Sequence, residues 1–313
     1  MAKPKISILI PVFRSEKFLH KTVEAVDIER KKHNWDLELV LVEDGSGDNS
    51  FEKIIELSKQ YNYIKGIKLS RNFGHQAAVR TGLEFVTGDY VAIIDDDLQD
   101  PPDLLPRFFT CLDNGFDVVY GVRKKRKEGF LKRTSYNLFY KLLSVLSDTK
   151  IPLDSGDFCV MKKRVVDKML QLNESQPFLR GIRAWVGFKQ MGLEYERHGR
   201  IDGQSGYSLK KLLKIASDGI FSFSNIPLKV ITFFGVLSFS LSVIYTAFML
   251  IKYFTIGFDN PGFITTILFI SFFGSVNMIS IGILGEYLAR VYAETKKRPH
   301  AIIEDYINIQ NGK

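Results

Sequence analysis

The stretch AIIDDDLQDPPDLL, residues 92–105, changes character abruptly. An apolar run of the kind that forms a buried strand ends in three consecutive carboxylates. A fourth follows at Asp100, and Pro101 and Pro102 then open a helix. Two carboxylates at i and i+2 on an extended segment project toward the same side, so Asp95 and Asp97 can approach one cation or one polar ligand together. Hard cations such as Mg²⁺ and Mn²⁺ take oxygen ligands and keep positions for water and substrate phosphates. Gln99 offers an amide oxygen to the same side. The plainer alternative is a solvated acidic turn favoured by the helix dipole, and Asp100 is expected to serve that capping role.

Around this stretch, short β-rich runs alternate with helix-like ones. Strands are expected over KISILIPVF (5–13), LELVLVEDGS (37–46), IKGIKLS (64–70), YVAIIDDD (90–97) and DVVYGVR (117–123), with helices over 15–32, 49–61 and 74–87. Such alternation predicts a largely parallel sheet covered on both faces, with ligands bound in the crevice beyond the carboxyl ends of its strands. Polar clusters fall at three of those ends: Arg14–Glu16, Glu43–Asp48 and Asp95–Asp100. In VEDGSGDNS (42–50), Glu43 and Asp44 are placed to accept hydrogen bonds from a nucleobase edge or ribose. Gly45 and Gly47 permit a sharp turn, and Asp48 or Asn49 can cap the next helix. Neither G-x-G-x-x-G nor G-x-x-x-x-G-K-[ST] occurs, so a nucleotide held here is not gripped by a glycine-rich turn.

The C-terminal third differs. No charged residue occurs from Val230 to Ile251 or from Pro261 to Gly285, and each window exceeds the roughly 20 residues needed to cross a bilayer core. Transmembrane helices are expected at about 230–252 and 263–285. Lys210, Lys211, Lys214 and Lys229 flank the first window and Arg290, Lys296, Lys297 and Arg298 the second, while the loop between carries little charge. The positive-inside rule therefore predicts a multi-pass protein of the inner (plasma) membrane with both termini cytoplasmic. No signal peptide is expected, because MAKPKISILIPVF reaches a strand-like run almost at once. The two cysteines, Cys111 and Cys159, build no disulfide framework. Small residues in GSVNMISIGILG (274–285) would allow close helix packing and a homo-oligomer. The predicted organisation is a catalytic domain over 1–206, an interfacial region over 207–228, the two spans within 229–288, and a cytoplasmic tail over 289–313.

A net charge of +8 comes without a nucleic-acid motif and concentrates near the membrane, which suits anionic headgroups or a phosphorylated ligand. RKKRKEGFLKR (123–133) carries seven basic residues and one acid. Arg123, Arg126, Lys132 and Arg133 are candidates for an acceptor phosphate, since guanidinium forks suit bidentate phosphate binding; a solvated loop is the alternative. In YSLKKLLKIASDGIFSF (207–223), Leu209, Leu212, Leu213, Ala216 and Ile220 recur on one helical face with the lysines off it, as in a helix lying in the membrane interface.

The ordered series PVF with a nearby acid, VEDGSGDNS, LSRNFGHQAAVRTGL, DDDLQDPP, DVVYGVR and DSGDF resembles the family 2, GT-A-type glycosyltransferases that act on polyprenyl phosphates. These include dolichol-phosphate mannose synthases and, most similar in their two C-terminal spans, bacterial undecaprenyl-phosphate (bactoprenol) glucosyltransferases. The resemblance covers nearly the whole chain. It implies a GT-A fold, Rossmann-like with a mostly parallel sheet, and inverting transfer of one sugar from a nucleotide-sugar donor to polyprenyl phosphate at the bilayer. UDP-glucose is the donor implied by the bacterial subgroup and GDP-mannose the alternative. Asp95, Asp97 and Gln99 would hold Mg²⁺ or Mn²⁺; Pro11, Phe13, Glu43, Asp44 and Asp96 would bind the nucleotide; Asp157 would lie near the reacting sugar; Arg200 would meet phosphate. Three positions depart from the family pattern. Ser15 stands where an acid is frequent, Cys159 where Arg commonly follows GDF, and Gly206 where Lys is usual.

A phosphate monoester is already anionic near neutral pH, its second pKa lying near 6. Asp157 can thus act as a base or steady positive charge at the anomeric carbon, as carboxylates do in glycoside hydrolysis. Two rivals are a processive polysaccharide synthase, whose Q-x-x-R-W motif QPFLRGIRAW (176–185) only loosely matches, and a non-catalytic nucleotide-sugar-binding scaffold. His75 is expected to be structural or to line the substrate.

Overall fold

The computed structural model describes residues 3–123, 155–172, 174, 177–196, 226–256 and 262–309. Among the described residues, eight strands form one mixed sheet in the order β7-β5-β6-β4-β1-β2-β3-β8. β1 (Ile6–Val12), β2 (Leu37–Glu43), β3 (Ile64–Leu69) and β4 (Tyr90–Ile93) run parallel, as the alternation predicts. β5 (Val118–Arg123) and β7 (Gln190–Tyr195) also pair in parallel, but β6 (Ser155–Lys162) lies antiparallel between β4 and β5.

The runs with continuous apolar character are strands buried on both faces. Leu37, Leu39 and Leu41 of β2 pack on one side with Ile8, Ile10, Phe108 and Phe158, while Val40 and Val42 pack on the other with Leu9, Met161 and Met169. Helices α1 (Leu19–His33), α2 (Ser50–Gln60) and α4 (Leu105–Asp113) cover the first face. Helices α3 (His75–Leu83), α5 (Lys163–Leu170) and α6 (Leu179–Trp185) cover the second. Two buried apolar faces leave the strand ends as the place where polar side chains can gather.

Three expectations change in detail. β4 ends at Ile93, with one more ladder bond from Ile94 N–H to Leu9 at 3.1 Å. Asp95, Asp96 and Asp97 therefore stand on the turn beyond the strand, where Leu98 takes a φ of 54°. The residue at the N-cap of the helix is Pro101 rather than Asp100, and the buried Asp100 accepts the Tyr195 hydroxyl. The segment after the second apolar helix is more than a tail. Residues Ile303–Ile307 form β8, antiparallel to β3, with Gly66 opposite Ile307. A Cβ on Gly66 would lie 2.8 Å from the Ile54 side chain of α2 and 2.9 Å from that of Ile307, so this position is packed closely from both sides.

The second compact unit holds α7 (Ile226–Ile256) and α8 (Phe263–Thr295), both long and apolar enough to cross a membrane. At 31 and 33 residues they extend roughly 45–50 Å, beyond a hydrocarbon core of about 30 Å. Their large side chains face outward, Phe233, Phe248, Phe254, Ile270 and Met278 among them. An apolar surface of that extent is costly in water and neutral in lipid. The interfacial segment 207–223 lies outside the described residues.

Candidate active site

The carboxylate edge is built by register. In the antiparallel β4–β6 pair, Ile93 stands opposite Cys159. Because the strands run opposite ways, Asp95 two residues after Ile93 and Asp157 two residues before Cys159 come to the same end of the pair, which brings a distant segment to the strand-end cluster. His75, the first residue of α3, sits between them. Its Nε2 lies 3.2 Å from Asp95 Oδ1 and its Nδ1 4.0 Å from Asp157 Oδ2. Burial lowers the His75 pKa, but the bond to Asp95 and the charge of Asp157 outweigh it, and the net shift is upward.

Arg180, from α6, grips Asp157 with two bonds, Nε to Oδ1 at 2.7 Å and Nη2 to Oδ2 at 2.8 Å. This paired geometry suits a planar guanidinium. Burial alone would raise the Asp157 pKa; Arg180, with His75 and Arg183 behind it, reverses the effect and holds the carboxyl well below the usual range. Such a group is a weak base and a persistent anion.

The three consecutive acids face different partners. Asp95 meets His75, and Asp97 Oδ1 accepts the Gln99 backbone N–H at 3.1 Å. Asp96 turns toward β1, accepting the Phe13 N–H at 3.4 Å and the Ser15 hydroxyl. Burial, and then the charges of Asp95 and Asp97, push Asp96 up to about 6 despite those bonds. Ser15 is itself buried, and its hydroxyl in place of an acid spares this corner a further negative charge.

The loop after β2 is locked to its neighbour. Asp44 accepts the Phe73 N–H at 2.7 Å and the Gly74 N–H at 2.9 Å, and Glu43 accepts the Ser46 N–H. Both carboxylates are buried, and each spends these bonds on the protein's own backbone. Gly45, at a φ of +58°, lets the two loops touch: a Cβ there would lie 2.2 Å from the Arg71 carbonyl carbon. Asp48 accepts the Ser50 N–H at 3.2 Å, which starts α2. At the rim, Pro11 is buried in β1 while Phe13 is 44% exposed. Gln99 is buried beside the acids. Arg123 is the last residue of β5, and nothing is described of its side chain. Arg126, Lys132, Arg133, Arg200 and Gly206 lie outside the described residues.

The site-forming residues that sequence reasoning missed are Arg180 and the bridging position of His75. The loose Q-x-x-R-W likeness of QPFLRGIRAW was the one available signal for Arg180.

A metal here would have to share its ligands. Among the described residues there is no group of three or more His, Cys, Asp or Glu able to hold a cation alone. Two carboxylates in an edge crowded with negative charge fit a hard cation that completes its shell with phosphate oxygens and water.

Residues 7–170 match the sequence profile of Glycosyl transferase family 2. The chain belongs to this family. It is 40% identical over 313 residues to the uncharacterized glycosyltransferase YkcC of Bacillus subtilis (strain 168), covering 98% of this chain and 95% of that one. To the bactoprenol glucosyl transferase of Shigella phage SfX it is 39% identical over 306 residues, 96% of this chain and 99% of the relative. Among solved structures, the mannosyltransferase PcManGT from Pyrobaculum calidifontis, in complex with GDP-Man and Mn²⁺, superposes with a TM-score of 0.50 at 16% identity, covering 95% of this chain and 87% of that one. At that identity the likeness is one of fold, and the fold is GT-A-like. As a family 2 member the protein is a glycosyltransferase.

Proposed function

We propose that this family 2 enzyme transfers one glucose from UDP-glucose to undecaprenyl phosphate at the cytoplasmic membrane face. The observation that carries the reading is the match to a bactoprenol glucosyl transferase along the whole chain, apolar helices included. The proposed organisation is a catalytic domain, an interfacial segment and two spans with cytoplasmic termini. Helix packing through Gly274, Gly282 and Gly285 would form a homo-oligomer.

Asp95 and Asp97, with Gln99 beside them, would hold Mg²⁺ or Mn²⁺ against the donor diphosphate. When bound, the ion neutralises charge on the leaving oxygen. Phe13 and Pro11 would flank the nucleoside. Asp96, anchored to the end of β1, would fix the acidic turn against that pocket, and Asp44 and Glu43 would shape its wall by bracing the loops. The acceptor phosphate oxygen attacks the anomeric carbon, and the bond to the diphosphate breaks with its electron pair leaving on UDP. One displacement inverts the anomeric centre. The acceptor is already an anion, so no strong base is required. Asp157, held ionised by Arg180, steadies the positive charge that develops on the sugar. Arg123, Arg126, Lys132, Arg133 and Arg200 are proposed for the acceptor phosphate.

Full-length protein in liposomes containing undecaprenyl phosphate, given Mg²⁺ or Mn²⁺ and labelled nucleotide sugars, tests the reading. A lipid-linked glucose formed with equimolar UDP release, and lost on chelation, is the expected result. Preference for GDP-mannose would replace it with the mannose-synthase alternative. No lipid product across the donor panel would overturn it.

A further inference from the structure

Beneath the Asp157–Arg180 pair lies a second arginine that the chemistry above does not use. Arg183 is one helical turn further along α6 and only 3% exposed. Its guanidinium lies 5.0 Å from the Tyr120 ring centroid and lines the same cavity as Cys159. Its Nη2 is fully buried and has no hydrogen-bond partner among the described residues. A buried guanidinium with an unused donor is costly unless charge nearby repays it. The charge is Asp157: Asp157, Arg180, Arg183 and Cys159 line one small cavity of about 10 Å³, otherwise walled by Val79, Ile93, Met161, Met169 and Leu179. That space admits about one water molecule and no more.

Cys159 explains why the arginine is needed from the helix. Asp157 and Cys159 are two residues apart on β6, so their side chains point to the same face of the sheet. Met161 and Cys159 pack on that face, and Phe158 and Val160 on the other. A long cationic side chain at position 159 would occupy the space beside Asp157 directly. With the short thiol there, Arg183 and Arg180 from α6 line the space beside Asp157.

We propose that Arg183 is a positioning residue for Asp157, supplying from α6 the buried positive charge that position 159 does not. Arg180 alone clamps the carboxylate from one side; Arg183 fixes the strand end beneath it and holds the acid ionised at the orientation the reaction uses. The proposal rests on the glycosyl-transfer reading above.

The test combines kinetics with a melting cycle on the full-length protein. Arg183→Leu should lower kcat about 100-fold, the size of loss expected from misplacing a reacting group by roughly 1 Å, with the donor KM moved less than about threefold. Arg183→Lys should recover little, because an ammonium lacks the planar fork. The double variant Cys159→Arg/Arg183→Leu should return to within about tenfold of the parent. A folded Arg183→Leu with parental kcat, or a folded double variant no faster than the single one, would overturn the proposal. The melting temperatures decide it without any turnover. Asp157→Asn should cost less stability in the Arg183→Leu background than in the parent, and additive losses would count against the coupling. If the parent itself transfers no sugar, the functional reading falls and this melting cycle still decides whether Arg183 holds Asp157.

Discussion

Asp95, Asp96 and Asp97 are adjacent in the chain, yet each is held by a different part of the fold. The turn beyond β4 splays them, sending one to His75, one to the end of β1 and one to the local backbone at Gln99. That arrangement separates duties that composition merges. Asp96 is tied to β1 and the loop after it, and Asp95 and Asp97 flank it on the acidic turn. Replacing Asp97 by Asn keeps the shape and the accepting oxygen for the Gln99 N–H but removes the charge. Asp97→Asn should therefore lower turnover by at least about 100-fold, with the melting temperature unchanged and excess Mn²⁺ restoring part of the loss. Parental turnover in a folded Asp97→Asn protein would remove this residue from the site.

At the scale of elements, the strand starts matter as much as the strand ends. Glu38, buried in β2, accepts the Ser7 hydroxyl from β1, the Thr87 N–H and hydroxyl ahead of β4, and Lys65 Nζ of β3 at 2.8 Å. One carboxylate thus ties four parallel strands at the edge opposite the site. Burial opposes its charge, but Lys65, Ser7 and Thr87 outweigh burial and lower its pKa to about 2, from an ordinary 4.5. A folded pKa below the unfolded one stabilises the fold above the unfolded value and loses that contribution as pH falls through the folded one. The Glu38 contribution should be complete above about pH 5 and fade between about pH 4.5 and 2. Glu38→Ala should cost about 2–3 kcal/mol at pH 7 and flatten the acid limb of melting temperature against pH. Equal acid limbs in variant and parent would assign that limb to other carboxylates.

At the scale of the whole molecule, the chain passes through two long apolar helices and then returns to the sheet. β8 pairs with β3, Lys68 meets Glu304 at 3.1 Å, and the Asn308 amide donates to the Ile64 carbonyl at 2.9 Å. The edge of β3 is covered by the chain's own C-terminal segment, which removes a ready template for unwanted strand pairing. Ending the protein at His300 should expose the β3 amides that face β8, and the Ser70 amide that bonds the Ile302 carbonyl at 2.9 Å, to rapid hydrogen exchange and lower the melting temperature by roughly 5 °C. Unchanged protection in β3 would show that the pairing adds nothing to stability.

Periodicity and apolar runs, which local chemistry dictates, were legible without coordinates: the alternating strands and helices, the acidic strand end and the two apolar helices all follow from neighbours in sequence. The resemblance to family 2 rested on motifs of the same local kind. What only the tertiary structure decided were the meetings of residues far apart. The register of β6 against β4 set Asp157 beside Asp95, α3 carried His75 between them, and α6 delivered Arg180 and Arg183. β8 escaped sequence reading because IEDYI, whose three central residues are exposed, forms a strand only when an open sheet edge is there to receive it. Strand pairing and ion pairing are long-range interactions with no period to read, and so they belong to the folded molecule alone.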